Sequence, residues 1–186
     1  MRRIVFLDFD GVINGGFNRE LGGKSGFDWS IPNAVLNLNK LLRKSGAKIV
    51  VSSSWRLKEN WPDGTNLTEA LTNQLVRFGI KRSLIDIIGI TREDLLDSEE
   101  YPVARAVEIR HWITSNGKPD DNFIVIDDLD IFLDTNNETV VDEEIKSRLV
   151  KTKTKFGFSE NDYEKSMRLF LTKDLEGVSI WFTFNR

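Results

Sequence analysis

The chain has 186 residues, of which 40% are hydrophobic and 30% charged, and its formal net charge is −3 at pH 7. This balance is typical of a soluble globular protein, and it gives no general attraction to nucleic acid or anionic membranes. There are no cysteines and only one histidine, so disulfides, thiolate-zinc sites and multi-histidine metal sites are excluded. Any metal site must therefore use oxygen ligands, which favours Mg²⁺ or Ca²⁺ over Zn²⁺.

Strands and helices alternate along the first two thirds of the chain. Short apolar runs predict four buried strands, at residues 4–7, 48–51, 84–90 and 123–126. Apolar residues at helical spacing predict the helices between them, at residues 32–45, 67–78 and 102–116. This order predicts an α/β fold with a parallel sheet. The length favours one domain, residues 1–186. We expect it in the cytoplasm, because no stretch has the pattern of a signal peptide or a membrane span.

The last third of the chain is less regular. Residues 148–155 alternate in polarity and predict a strand. Ser159 is a suitable N-cap for a helix that extends to about residue 171. Residues 178–184 are apolar and aromatic, and they predict a last strand.

Asp8 and Asp10 follow the first predicted strand. Residues two apart in an extended segment point to the same side, so both carboxylates face one spot. Both would repel each other there unless a cation lies between them. With a hard cation, one carboxylate can attack phosphorus while the other transfers protons. The alternative is a solvated acidic turn.

Two other strand ends carry polar groups that suit the same chemistry. Asp127 and Asp128 follow the fourth predicted strand, where the alternatives are a loop N-cap and a solvent-exposed acid. Ser52 and Ser53 follow the second, and both remain candidates for binding phosphoryl oxygens, although a turn that simply favours Ser is the alternative. Because ligands bind beyond the carboxyl ends of parallel strands, these ends together predict the functional site.

Two basic residues are candidates for neutralising a phosphate. Arg105 lies near the start of the predicted helix that precedes the fourth strand, and Lys118 lies in the loop after that helix. The alternative for each residue is that it is an ordinary charged residue of the protein surface. Lys151, Lys153 and Lys155 alternate in the predicted strand at 148–155, so an extended segment would place all three on one face and could guide a nucleic-acid backbone. A solvated edge strand is the alternative there.

These residues resemble a known family. The run Asp8-Phe9-Asp10-Gly11-Val12, the serines and the acidic pair are similar to the first, second and fourth motifs of the haloacid dehalogenase (HAD) superfamily. A closer likeness, from residue 3 to about residue 171, is to the HAD domain of Swiss Army Knife RNA repair proteins. It is carried by Ser53-Ser54-Trp55-Arg56, by Arg105-Ala106-Val107-Glu108-Ile109 with Trp112, by Ile126-Asp127-Asp128, and by Leu149-Val150-Lys151-Thr152 followed by Gly157-Phe158-Ser159.

The resemblance implies a Rossmann-like, doubly wound fold and a Mg²⁺-dependent phosphatase, and the 14–30 loop is too short for a large cap. Asp8 would be the nucleophile that forms an aspartyl-phosphate, and Asp10 the general acid and base. Mg²⁺ would be bound by the Asp8 carboxylate, the Asp10 backbone carbonyl and Asp128, with Asp127 acting through water. Ser53 and Arg105 would hold the phosphoryl oxygens, with Ser52 and Lys118 as alternatives. The substrate would be a phosphorylated compound, for which an RNA or DNA end is a candidate.

Two other functions are considered. Receiver domains of signalling proteins also place Asp, Ser or Thr and a basic residue at strand ends, but they lack a carboxylate two residues after the nucleophile. Asp10 and the length of the chain disfavour that class. An inactive relative that serves as a phosphate-binding module is disfavoured by the full set of aspartates.

Overall fold

The computed structural model of the protein describes residues 1–15, 30–57, 60–91, 105–132 and 142–183, with side chains described up to residue 172. Within these residues the strands form one parallel sheet in the order β3-β2-β1-β4-β5. The strands are β1 (Arg3–Leu7), β2 (Lys48–Val51), β3 (Ile87–Ile90), β4 (Asn122–Asp127) and β5 (Leu149–Lys151). The helices are α1 (Pro32–Ser45), α2 (Leu67–Arg77), α3 (Arg105–Asn116), α4 (Glu143–Arg148) and α5 (Glu160–Thr183).

Helices cover both faces of the sheet. Successive residues of a strand point to opposite faces, and in β1 Val5 and Leu7 pack in a cluster with buried residues of α1, α2 and α5. Ile4 and Phe6 pack in a second cluster with α3 and α4. This doubly wound, Rossmann-like arrangement confirms the predicted fold class.

Local signals in the sequence fix several helix ends. α1 begins at Pro32 and ends before Gly46, which has the left-handed conformation (φ 62°) and donates its N–H to Leu42 O. The Asn66 side chain accepts the N–H of Glu69 at the start of α2. Before α5, Ser159 and Asp162 bond each other reciprocally, from the Asp162 N–H to Ser159 Oγ and from the Ser159 N–H to Asp162 Oδ2.

Predicted elements in the first two thirds match the structure closely. The strand expected at 84–90 is shorter, because Arg82–Leu84 form a turn of 3₁₀ helix before β3. Residues 102–104 of the third predicted helix lie outside the described residues, as does most of the loop expected at 14–30. The segment from α2 to β3 belongs to the layered core.

The last third of the chain differs from expectation in two places. Only Leu149–Lys151 of the strand expected at 148–155 forms, because Arg148 ends α4 and a turn closes with a bridge between Lys153 and Gly157. The strand expected at 178–184 is wrong, since α5 continues to Thr183. No proline interrupts α5, and a helix that is already nucleated gains one hydrogen bond for each residue it adds. Among the described residues, no helix is both long and apolar enough to cross a bilayer.

Two leucines of α1 provide a matched test of the core. Leu38 is 0% exposed and belongs to the cluster that covers one face of the sheet, whereas Leu36 is 66% exposed. We expect Leu38→Ala to lower the free energy of unfolding by about 2–5 kcal/mol, because it removes buried methyl groups and leaves a cavity. Leu36→Ala should change it by about 0.5 kcal/mol or less. Denaturant unfolding of both variants measures the difference, and equal losses would contradict this packing.

Candidate active site

The polar residues predicted to meet do so at the carboxyl ends of three neighbouring strands. β1 lies between β2 and β4, and Leu7 is paired with Val51 and with Ile126. Backbone bonds extend the ladder by one residue, from Asp8 N to Ile126 O (3.1 Å) and from Ser52 N to Leu7 O (2.9 Å). The ends of all three strands are therefore level, which brings the side chains that follow them to one place.

Three carboxylates form a tight cluster there. Asp8, Asp127 and Asp128 each offer an oxygen atom, and these atoms lie within 4.8 Å of one another. Asp8 is 4% exposed and Asp127 0%. Arg105 Nη1, at the start of α3, lies 2.6 Å from Asp127 Oδ2 and 3.2 Å from Asp8 Oδ2. A guanidinium carries one positive charge, so the cluster keeps an excess of negative charge when all its acids are ionised.

Burial is the main cause of the raised pKa values in this cluster. Burial raises the pKa of Asp8 to about 7, and Asp127 also raises it, whereas Arg105 and a hydrogen bond from Ser53 act in the opposite direction. Burial likewise raises the pKa of Asp127, against the effect of Arg105. Burial alone would lower the pKa of Arg105, but Asp8 and Asp127 raise it above its ordinary value, so the guanidinium stays charged.

The cluster fits a divalent cation. Its donors are all carboxylate oxygens, which are ligands that Mg²⁺ and Ca²⁺ prefer. A divalent cation would also remove the electrostatic cost of keeping buried acids ionised. The residues predicted as metal ligands that the structure brings together are thus Asp8, Asp127 and Asp128.

Asp128 is held by neighbours from two directions. Gly11 has a positive φ of 69°, and a Cβ atom there would lie 2.0 Å from Asp128 Oδ2, so only glycine leaves room for this carboxylate. Thr154 Oγ1 donates a hydrogen bond to Asp128 Oδ2 at 2.6 Å. Thr152 Oγ1 donates to Gly11 O at 2.9 Å, which ties the segment after β5 to the turn after β1. These contacts orient a carboxylate of the cluster that could hold a metal, and the sequence pattern did not indicate them.

The structure separates the two candidate serines. A hydrogen bond from the Ser53 side chain lowers the pKa of Asp8, and Ser53 Oγ also accepts the Trp55 backbone N–H at 3.5 Å. Ser52 Oγ is buried and has no hydrogen-bond partner among the described residues. Ser53 is therefore the serine placed to contact a phosphoryl oxygen beside Asp8.

Asp10 has surroundings unlike those of Asp8. It is half-buried, and both of its carboxylate oxygens accept hydrogen bonds from neutral side chains. Asn14 Nδ2 donates to Oδ1 at 2.7 Å, and Trp55 Nε1 donates to Oδ2 at 2.9 Å. Sequence reasoning assigned no site role to either donor.

A buried ion pair joins residues 52–56, which follow β2 and are called the serine turn here, to α3. Arg56 Nη2 lies 2.7 Å from Glu108 Oε1 and 2.6 Å from Oε2, and Arg56 Nη1 donates to Ser53 O at 2.7 Å. Thr91 Oγ1 lies 3.2 Å from Glu108 Oε2. Burial raises the pKa of Glu108, and Arg56 opposes that rise. The pair links Ser53 to the helix that carries Arg105, and no pattern in the sequence indicates that Arg56 and Glu108 meet.

Lys118 lies at the other end of the sheet. It precedes β4, and its backbone N–H donates to Asp121 Oδ2 at 2.8 Å. Asp121 in turn binds Arg2, which precedes β1. The structure therefore brings Arg105, and not Lys118, to the aspartate cluster.

Comparison with known proteins gives one match. Residues 4–163 match the model of a family described as the HAD domain in Swiss Army Knife RNA repair proteins. No curated protein and no solved structure matches the chain. The matched stretch contains the aspartates, Ser53, Arg105 and the Arg56–Glu108 pair.

Thr154 provides a test of the metal site that does not depend on activity. We expect Thr154→Val to weaken Mg²⁺ binding about tenfold or more, because it removes the hydroxyl that orients Asp128. A ligand that binds only the folded protein raises its melting temperature. A Mg²⁺ titration followed by the melting temperature therefore reports the affinity of wild type and variant.

The control for this prediction is Thr172→Val. Thr172 is also exposed, but its hydroxyl bonds Arg168 O within α5. Its Mg²⁺ titration should match that of wild type. Equal affinities in wild type and Thr154→Val, or no Mg²⁺-dependent rise in wild type, would contradict the assignment of Asp128 as a ligand.

Proposed function

This chain belongs to the family of HAD domains found in Swiss Army Knife RNA repair proteins, and on that basis we propose that it is a Mg²⁺-dependent phosphomonoesterase. The family supports a phosphohydrolase of the HAD type. The observation that carries the proposal is the cluster of Asp8, Asp127 and Asp128 at the carboxyl ends of β1 and β4, with Arg105 against it. In this proposal Asp8 is the nucleophile, the three carboxylates form the site for the Mg²⁺ ion, and the Arg105 guanidinium binds the transferred phosphoryl group.

The metal would be bound by the carboxylates of Asp8 and Asp128 and the backbone carbonyl of Asp10, with Asp127 acting through water. When bound, Mg²⁺ supplies Lewis-acid polarisation of a phosphoryl oxygen and offsets the repulsion between Asp8 and the phosphate. Arg105 and Ser53 lie beside Asp8. They would bind the equatorial oxygens, over which charge is spread in the transition state.

The reaction has two half-reactions. An oxygen of Asp8 attacks phosphorus, and the bond from phosphorus to the leaving oxygen breaks while Asp10 donates a proton to that oxygen. A water molecule then attacks the aspartyl-phosphate and gives a proton to Asp10. The bond between phosphorus and the Asp8 oxygen breaks, which releases inorganic phosphate and restores both aspartates.

We further propose that the substrate is the phosphate end of a nucleic acid or a nucleotide. The RNA repair context of the family supports this, and so does the turn of residues 153–157, which Thr154 joins to Asp128. Lys153 and Lys155 are exposed there, and Phe156 is 58% exposed. Lys155 Nζ lies 5.7 Å from the centre of the Phe156 ring. A cation and an exposed ring offer a phosphate contact and a surface on which a base can stack.

Asp8→Asn tests the reaction. We expect the variant to lose activity on the order of a thousandfold or more, because the amide cannot form the aspartyl-phosphate. It should stay folded, since the side chain keeps its size. Turnover of p-nitrophenyl phosphate in saturating Mg²⁺ measures the loss, and the melting temperature checks folding.

Asp130→Asn is the matched control for this prediction. Asp130 is exposed in the turn after β4, the neighbour of β1, and its carboxylate accepts the Phe132 N–H. Its turnover should equal that of wild type. Comparable turnover in Asp8→Asn and wild type would rule out the nucleophile, whereas Mg²⁺ binding without any turnover in wild type would indicate an inactive binding module.

Lys153 and Lys155 test the substrate class. Changing both to Glu should raise KM for an oligonucleotide with a terminal phosphate and leave p-nitrophenyl phosphate almost unaffected. The effect on the oligonucleotide should shrink as salt rises, because counterion release drives phosphate-backbone binding. The control changes Lys44 and Lys81 to Glu, which alters net charge equally in exposed segments that lead into β2 and β3. Equal effects of both pairs would contradict the nucleic-acid proposal.

A further inference from the structure

Two side chains each donate one hydrogen bond to a different oxygen of the Asp10 carboxylate. Asn14 Nδ2 reaches one oxygen at 2.7 Å, and the indole N–H of Trp55 reaches the other at 2.9 Å. We propose that Trp55, together with Asn14, is a positioning residue that fixes the direction in which Asp10 transfers its proton. The inference rests on the function proposed above, in which Asp10 is the general acid and base.

Trp55 is held rigidly enough to direct this bond. It lies in the 3₁₀ turn Ser54–Arg56, which begins three residues after the end of β2. Its ring packs at 5.6 Å and 80° against Phe78 and at 6.2 Å and 46° against Phe9. Its backbone carbonyl accepts a hydrogen bond from Trp61 Nε1 at 2.7 Å. The indole thus has packed rings and a backbone anchor that fix where its N–H points.

Phe9 extends the same arrangement to the aspartates. It lies between Asp8 and Asp10, is 0% exposed, and packs edge-on against Phe78 at 6.0 Å and 82°. Its ring is therefore buried among the aromatic side chains that also hold Trp55. One aromatic cluster, Phe9, Trp55 and Phe78, sets both the donor and the backbone that carries its acceptor.

The chemistry of the donors determines where the proton can be. An indole nitrogen and an amide nitrogen only donate hydrogen bonds, and each carboxylate oxygen has two lone pairs. The contacts from Trp55 and Asn14 take one lone pair on each oxygen of Asp10. A proton carried by Asp10 must then occupy a remaining lone pair. Its direction toward the leaving oxygen is set by the two donors, so losing one donor disorders proton transfer without removing the acid.

Trp55→Phe tests this role, since it removes the N–H and keeps an aromatic ring. A good leaving group such as p-nitrophenolate departs without protonation, whereas the alkoxide of a nucleoside monophosphate needs a general acid. We expect kcat for the nucleoside monophosphate to fall about tenfold to a hundredfold, because misplacing a catalytic group by about 1 Å costs that much. With p-nitrophenyl phosphate, kcat should change less than about twofold, and KM should change little for both.

Two comparisons separate positioning from a general structural effect. Trp112→Phe makes the same substitution in the cluster that covers the opposite face of the sheet, so its kinetics should match wild type for both substrates. In an Asp10→Asn background, Trp55→Phe should cause no further loss for the nucleoside monophosphate, since its effect passes through Asp10. Equal losses for both substrates in Trp55→Phe, or a further loss in the Asp10→Asn background, would overturn the proposal.

Asn14→Ala covers the case in which Trp55→Phe does not fold. It removes the other donor to Asp10 and should show the same selective loss for the nucleoside monophosphate. If wild type turns over neither substrate, the proposed function fails and this inference fails with it. If wild type is active and Asp10→Asn is selectively impaired, but Trp55→Phe and Asn14→Ala are not, only this inference fails.

Discussion

The contact of Arg105 with Asp8 and Asp127 is the constraint on which the site depends. Three carboxylates lie within 4.8 Å of one another, two of them almost fully buried, and burial raises the pKa of Asp8 to about 7. Such a group of acids stays ionised at neutral pH only if cations neutralise it. Arg105 supplies part of that charge from α3, and a divalent ion would supply the rest. The negative charge that makes the metal-free site costly is thus the property that would favour binding of a divalent cation.

The acidic cluster lies at the ends of the most buried strands of the sheet. β1 and β4 are neighbours in the middle of the sheet, and every residue of β4 is buried. The buried Arg56–Glu108 pair also holds the serine turn against α3. Removing one partner of a buried pair leaves an uncompensated charge, at a cost of about 3–5 kcal/mol. The pair therefore makes the relative position of Ser53 and Arg105 costly to change, which suits the proposed binding of one phosphoryl group by both residues.

The sequence predicts those site residues whose position follows from a local pattern. Asp8, Ser53 and Asp127 follow short apolar runs, and the carboxyl ends of parallel strands meet at one edge. The contacts from Trp55 to Asp10, from Arg56 to Glu108 and from Thr154 to Asp128 join residues 45, 52 and 26 positions apart, and no periodicity encodes them. The strand predicted at residues 178–184 is wrong, because a short apolar run does not distinguish a strand from a helix. Lys118 is excluded from phosphate binding by topology alone, since the loop from a helix into the next parallel strand lies at the amino ends of the strands.

Asp8 and Asp10 show how one short motif yields two different groups. They have the same side chain and stand two residues apart, yet Asp8 lies among acids beside Arg105 while Asp10 is half-buried and bonded by neutral donors. A carboxylate beside a metal and a guanidinium is suited to attack, and one held by directional hydrogen bonds is suited to move a proton. The alternation of the chain places Phe9 between them in the aromatic cluster. Because that ring cannot move without disturbing Trp55 and Phe78, the packing of apolar side chains keeps the two carboxylates in their separate surroundings.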